Sequence, residues 1–333
     1  MNQKNEIVLS STQKLYEKIA QGECSGFTVP AFNLRTLTFN AARALFKAAK
    51  KEKAGAFIVE LAQTEMNYTD QSPEDYAKSV LKAANEEKFE CPIFLQGDHF
   101  KIKEKLNNKK EELKKLENLI KKSVEAGFYN IDLDCSSLSL MKNITITAHL
   151  TNFIRKLEPK NLTVSIGAEV GEIGGKNTTL RELNDFIEGY KKALSKYGNI
   201  KGIIKIAVQT GTSHSKGGKV DFELLQILSE KSKEYGLAGI VQHGASTLPE
   251  KQFKHFPKMK VLEIHLATEL QNIILNNPYF PERLKLKVKK ELLGKFKKEI
   301  NSLPQKNIDK ICDKLEEKFR FFFQQLNVSN TQD

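Results

Sequence analysis

Asp98 and His99 stand side by side in the stretch QGDHF, directly after the apolar run CPIFL. A carboxylate beside an imidazole supplies a proton-transfer group and a metal donor, so this pair is the first candidate for chemistry. Three more histidines occupy comparable places: His214 closes GTSH, His243 lies in QHGAS and His265 in VLEIHLAT. Glu169 ends a similar run, TVSIGAEVG. The other two histidines, His149 and His255, fall in helical stretches. Three imidazoles and a carboxylate gathered on one rim suit zinc, which favours nitrogen donors and keeps a position open for substrate. Taken singly, each histidine reads more readily as a core or surface residue. Because the donors come from different segments, their spacing does not name the metal. The loops GTSHSKGG and QHGAS also place small residues where the chain leaves a strand, and backbone N–H groups there can hold a phosphate. Either loop alone is an ordinary turn. Two such loops, each beside a histidine, favour an anion site.

Bringing these residues together requires a particular fold. Apolar, β-branched runs at 26–34, 55–62, 92–99, 130–137, 163–171, 203–211, 239–246 and 261–268 read as strands. Amphipathic stretches near 38–53, 73–88, 109–126, 141–157, 179–197, 221–235 and 248–255 read as helices, and another follows the last strand. Strands that are mostly apolar and joined by helices imply a parallel sheet buried on both faces. Eight such units fit the closed (β/α)8 (TIM) barrel, whose active sites lie at the C-terminal ends of the strands. A doubly wound open sheet is the alternative, but the Gly-rich turn it usually carries after its first strand is missing. The expected organisation is a barrel over 1–280, a helical extension over 281–326 packed on the barrel or a partner, and a flexible tail over 327–333.

The 333-residue chain carries a net charge of +12. Its lysines are interspersed with glutamates in stretches such as KIKEKLNNKKEELKKLENLIKK, the pattern of a solvated helix face. A nucleic-acid partner is therefore not expected, although the charge favours anionic substrates. No apolar run approaches the roughly 18 residues of a membrane helix, and the N-terminal stretch lacks the apolar core of a signal peptide. Cys24, Cys91, Cys135 and Cys312 are scattered with no CxxC spacing, which argues against a disulfide frame or a thiolate zinc site. A cytoplasmic protein is expected.

The motifs in order are VPAFNL, GDH, AGF then D-x-S, AEVGEIGG, GTSH, HGAS and ATELQ. This series resembles the class II, zinc-dependent ketose-bisphosphate aldolases, which include the fructose- and tagatose-bisphosphate enzymes, over roughly residues 26–275. The resemblance implies a (β/α)8 barrel and a reversible aldol cleavage, with zinc as Lewis acid on the ketose carbonyl. The expected substrate is a ketose (bis)phosphate such as fructose 1,6-bisphosphate, giving dihydroxyacetone phosphate and glyceraldehyde 3-phosphate. Carried over, His99, His214 and His243 are zinc ligands, Glu169 contacts the metal, and Asp98 transfers the proton. Asn33, Gly211, Ser213, Gly244, Ala245, Ser246, His265 and Thr268 are expected around the substrate and its phosphate, where a monovalent cation is a further candidate. A homodimer or homotetramer is expected.

Four departures from the family pattern stand out. Gln96 occupies the first position of the usual H-x-D-H. Glu60-Leu61-Ala62 replaces a Gln-x-Ser-like segment. His265 and Ala267 replace the Asn and first Asp of N-x-D-T-D. Lys176 and Asn177 follow the Gly174-Gly175 pair where acidic residues are usual, and Glu172 and Glu60 are the candidate substitutes. These changes keep open a divergent carbon–carbon lyase or a non-catalytic metal-binding barrel. Lys205 keeps a covalent Schiff-base route formally open.

Overall fold

The computed structural model describes residues 8–102, 109–172, 174–212, 219–288 and 292–332. Its strands are β1 (Leu9–Ser10), β2 (Val29–Asn33), β3 (Ile58–Ala62), β4 (Ile93–Lys101), β5 (Asn130–Asp134), β6 (Ser165–Val170), β7 (Lys205–Val208), β8 (Gly239–Gln242) and β9 (Glu263–Leu266). Its α-helices are α1 (Gln13–Ala20), α2 (Thr38–Glu52), α3 (Gln63–Tyr68), α4 (Pro73–Glu86), α5 (Lys109–Glu125), α6 (Leu140–Leu157), α7 (Leu180–Leu194), α8 (Phe222–Glu234), α9 (His255–Lys258), α10 (Thr268–Leu275), α11 (Glu282–Lys287), α12 (Lys297–Asn301) and α13 (Gln305–Gln325).

β2 to β9 pair in sequence order, all parallel, and β9 pairs back onto β2. The ring is therefore a closed (β/α)8 barrel, as the eight apolar runs imply. Most of its strands are buried at every residue, because helices cover the outside and side chains fill the inside. The helices start where the sequence supplies acceptors. Ser72 Oγ accepts from the Asp75 N–H, Asp221 from the Leu224 N–H, and Thr179 and Glu182 form a capping box.

β1 has no counterpart among the sequence candidates. It pairs with Ile93 and Phe94 at the start of β4. From there α1 crosses the N-terminal end of the barrel, tied by the Thr12 N–H to Asn130 Oδ1 at 2.9 Å and by Ser11 Oγ to the Ser165 N–H at 3.0 Å. Tyr16 on α1 is fully buried among Val29, Ala31, Ile58, Ala238 and Leu262. It closes the floor, leaving the C-terminal mouth as the open end.

The stretch 248–255, expected to be one helix, is a 3₁₀ turn (Glu250–Gln252) followed by the four-residue α9. Pro249 holds Leu248 in the extended region (φ −71°, ψ 151°), so a helix cannot start there.

The C-terminal helices pack on their own barrel. Phe319, Phe322 and Phe323 of α13 surround Phe32 on the outside of β2, with ring centroids 5.0, 6.0 and 5.6 Å away. The tail corrects the sequence expectation. Val328 is buried, and the N–H groups of Asn330 and Thr331 donate to the carbonyls of Glu52 and Lys53, each at 3.0 Å. These carbonyls belong to the end of α2, where a helix lacks internal partners. The tail supplies them over its described residues. Phe323 also meets Phe57 at 5.3 Å. Phe323→Ala is expected to cost about 3–5 kcal/mol in urea unfolding, whereas a cost near zero would mean that α13 does not complete the core.

Candidate metal and catalytic site

The site begins with an irregularity in β4. Between Gly97 and Phe100, β4 advances three residues while its partner β5 advances from Ile131 only to Leu133. The extra residue makes a bulge, and His99 takes a left-handed conformation with φ 47°. Neighbours on a regular strand point to opposite faces. Here Asp98 and His99 both face one cavity of about 310 Å³ at the C-terminal mouth. Gly97 is required because a Cβ there would lie 2.5 Å from the buried Phe100 ring.

In this cavity His99 Nδ1 lies 3.2 Å from both Asp134 Oδ2 and Glu169 Oε2. Both oxygens are acceptors, so Nδ1 carries a proton, and Nε2 is the nitrogen turned toward Asp98, where a metal would take its lone pair in place of a second proton. Nε2 lies 3.8 Å from Asp98 Oδ1, and the His243 ring stands 4.3 Å from the His99 ring. The ligand atoms of Asp98, His99 and His243 all fall within 4.8 Å of one another. A carboxylate behind a ligating imidazole is the usual way a protein fixes the tautomer and orientation of a metal ligand. Burial would lower the His99 pKa, but Asp98, Glu169 and Asp134 outweigh it and raise it well above the ordinary value. Burial also pushes Glu169 up to about 7, helped by the Asp134 charge and opposed by His99.

Beneath this layer lies a buried charge network. Lys205 on β7 has no exposed surface. Its Nζ donates to Glu263 Oε1 (2.7 Å) and Oε2 (2.8 Å), Asp132 Oδ2 (3.0 Å) and Gln96 Oε1 (2.7 Å). Gln96 Nε2 donates to Glu60 Oε2 (3.0 Å) and Glu263 Oε1 (2.9 Å), and Tyr16 Oη donates to Glu263 Oε2 (2.5 Å). Burial would lower the Lys205 pKa, but Asp132 and Glu263 reverse that and raise it. A charged amine committed to four acceptor atoms is not a nucleophile, which closes the Schiff-base route. Gln96 is likewise a strut of this network.

The loops after β7 and β8 are cross-linked. Thr212 Oγ1 donates to the His243 carbonyl at 2.8 Å, and Gln242 Nε2 donates to Thr212 Oγ1 at 2.8 Å. Gly211 has φ 97°, and a Cβ there would lie 2.5 Å from the Lys219 carbonyl. The turn therefore depends on glycine.

The family pattern of class-II fructose-bisphosphate aldolases matches residues 11–327. The chain belongs to that family. Two solved structures show the same fold. The YdjI aldolase of Escherichia coli K12 aligns at TM-score 0.67 and 15% identity, covering 97% of this chain and 99% of its own. Fructose-bisphosphate aldolase of Campylobacter jejuni aligns at TM-score 0.64 and 19% identity, covering 98% and 97%.

Zinc, the metal expected for a class-II aldolase, fits the donors present. Two imidazoles and a carboxylate are nitrogen and oxygen ligands that zinc accepts, and they converge beside an open cavity. Asn33, Gly244, Ser246, His265 and Thr268 line that same cavity, whereas Gly211 and Ala245 do not. His214 and Ser213 lie outside the described residues. Glu169, expected at the metal, stands with Asp134 on the Nδ1 side of His99, and the donor atoms of these three residues also lie within 4.8 Å of one another.

Sequence reading missed Asp132, Asp134 and Glu263 and left Glu60 as a candidate substitute only. Glu60 sits in the middle of the apolar β3, and that contradiction was an available signal, whereas Asp132 and Asp134 alternate with apolar residues in β5 and Glu263 opens β9, as in a half-exposed strand. Removing Lys205 alone leaves Glu263 and Asp132 buried without their cation. Lys205→Met is expected to cost about 3–5 kcal/mol, and Lys205→Met/Glu263→Gln distinctly less, by urea unfolding of the metal-free protein. Equal losses in the two variants would contradict this account.

Proposed function

We propose that this protein is a zinc-dependent aldolase that reversibly cleaves a phosphorylated ketose to dihydroxyacetone phosphate and an aldehyde. The observation that carries this reading is the convergence of Asp98, His99 Nε2 and His243 on the wall of one cavity at the barrel mouth. His99 and His243 would hold the metal, with His214 as the expected third imidazole. Bound there, the metal supplies a Lewis acid for the charge that develops beside the ketose carbonyl when the C–C bond breaks.

The chain's own groups do the rest. Asp98 takes the proton from the hydroxyl that becomes the aldehyde and returns it in the condensation direction, and the carbon left as an enediolate takes its proton from a cavity carboxyl, for which Glu172 and Glu60 are the candidates. Asp134 and Glu169 hold the His99 ring in its working tautomer. The loop after β8 would offer the phosphate its backbone N–H groups at Gly244 and Ser246 together with the Ser246 hydroxyl. Two cations, Lys101 and Arg35, line the cavity, and each is already held by a carboxylate. Lys101 lies 3.3 Å from Asp134 and 3.5 Å from Glu172, and Arg35 lies 2.5 Å from Glu65.

Ala267 has no acceptor to offer where the family pattern has an aspartate. This favours a ketose phosphate other than, or additional to, fructose 1,6-bisphosphate. The test is a coupled triose-phosphate assay on the zinc-loaded full chain over a panel of ketose phosphates. Cleavage should be lost on chelation, and Asp98→Asn should lower kcat by about 100-fold or more. Zinc-loaded protein that cleaves none of the panel would sink the proposal.

A further inference from the structure

The donor groups below His243 are not all used by the site described above. His265 on β9 stands next in line, its ring 4.2 Å from that of His243. Its Nε2 lies 2.7 Å from Glu263 Oε1, an acceptor already clamped by Lys205. Nε2 therefore carries a proton, and Nδ1 faces Glu60 Oε2 at 3.2 Å and Asp98 Oδ1 at 3.3 Å, where it either donates a second proton to them or gives its lone pair to an ion held between them. All three side chains are more than nine-tenths buried.

We propose that Glu60, Asp98 and His265 form a second site for a divalent first-row metal ion, such as zinc or manganese. It shares the Asp98 carboxylate with the His99–His243 site. The proposal rests on the reading of His99 and His243 as metal ligands, and it extends that reading to a two-metal floor.

Three observations carry it. The first is geometric. Bonds of about 2.0–2.1 Å to a tetrahedral ion set its ligands about 3.3 Å apart. The separations from His265 Nδ1 to the two carboxylate oxygens match that edge, and the three donors lie within 4.8 Å of one another. The second is orientation. A carboxylate on the far nitrogen of a ligating histidine is the standard support for a metal site, and Glu263 provides it. The third is charge. Glu60, Asp98, Asp132 and Glu263 bring four carboxylates together, and among the described residues Lys205 is the one amine that reaches this cluster. Glu60 Oε1 is buried with no hydrogen-bond partner among those residues. Buried like charges of this number are met either by a counter-charge or by protonation. The competitors of a metal are therefore a proton on Glu60, whose carboxyl burial pushes up to about 8, and a second proton on His265, which makes an imidazolium and binds no metal.

In the two-metal arrangement Asp98 commits one oxygen to the second ion and is held rigidly next to the first. One imidazole with two carboxylates is a donor set that zinc and manganese share, which is why the probe metals are these two.

Metal content separates the possibilities. The full chain, loaded with excess zinc or manganese and desalted, is expected to hold two equivalents by mass spectrometry of the metal. Glu60→Gln and His265→Asn should each hold one equivalent, and His243→Ala should lose the other. Wild type with one equivalent that survives in Glu60→Gln and His265→Asn, but is lost in His243→Ala, overturns the second site and leaves the proposed function standing. Wild type with one equivalent that is lost only in Glu60→Gln and His265→Asn supports this site and overturns the ligand role of His243. Wild type with none overturns both. Should a variant fail to fold, anomalous diffraction from the wild type at the metal edge decides. Two peaks bridged by Asp98 support the proposal, and a single peak at His99 and His243 overturns it.

Discussion

An ammonium with no access to water, Lys205 Nζ, is the interaction on which the inside of this barrel depends. Three parallel strands, β4, β5 and β9, send Gln96, Asp132 and Glu263 to it. The contact reaches further through Gln96 to Glu60 on β3 and through Glu263 to Tyr16 on α1. A buried ion pair adds little net stability compared with an apolar isostere, yet it is costly to break. Its contribution here is registry. It fixes which side chains meet at mid-barrel, and it holds Glu263 in place as the acceptor that orients His265. The candidate site rests on this platform.

The second constraint is the bulge in β4. A regular strand would give the mouth either Asp98 or His99. The added residue, with His99 at φ 47°, gives it both. A left-handed conformation at a residue with a Cβ costs roughly 1–2 kcal/mol, and the fold offsets it locally. His99 is held by Asp134 and Glu169, and the absent Cβ of Gly97 lets Phe100 turn back into the core. Strain of this kind persists where the surroundings over-determine it, and functional sites are where it concentrates.

Much of the fold was legible in the sequence because strands buried on both faces are nearly continuous apolar runs, and all eight barrel strands announced themselves that way. The site was legible where a charged or imidazole residue ended such a run, as with Asp98, Glu169 and His243. It was illegible where the charge sat inside the run. Asp132 in NIDLD and Glu263 in EIHL resemble the polar positions of a half-exposed strand until closure of the ring turns them inward. The closeness of Asp98 to His99 depends on a bulge, and no residue type announces a bulge. The tail was misread for a related reason. Its polar composition suggests fraying, whereas its backbone N–H groups complete the end of a helix some 280 residues away in sequence.

The departures from the family pattern now divide into two kinds. Gln96 is structural. It accepts from Lys205 through its oxygen and donates through its nitrogen to Glu60 and Glu263, a task that needs an acceptor and a donor on one short side chain. An imidazole there could accept from Lys205 with one nitrogen and would have only one N–H left to offer two carboxylates. Ala267 is different, because it lines the cavity with no polar group at all. Gln96 and His265 therefore share a task, because both join the network around Lys205, Gln96 directly and His265 through Glu263. Ala267 is the change that a molecule in the cavity would meet directly, because its side chain offers no acceptor there.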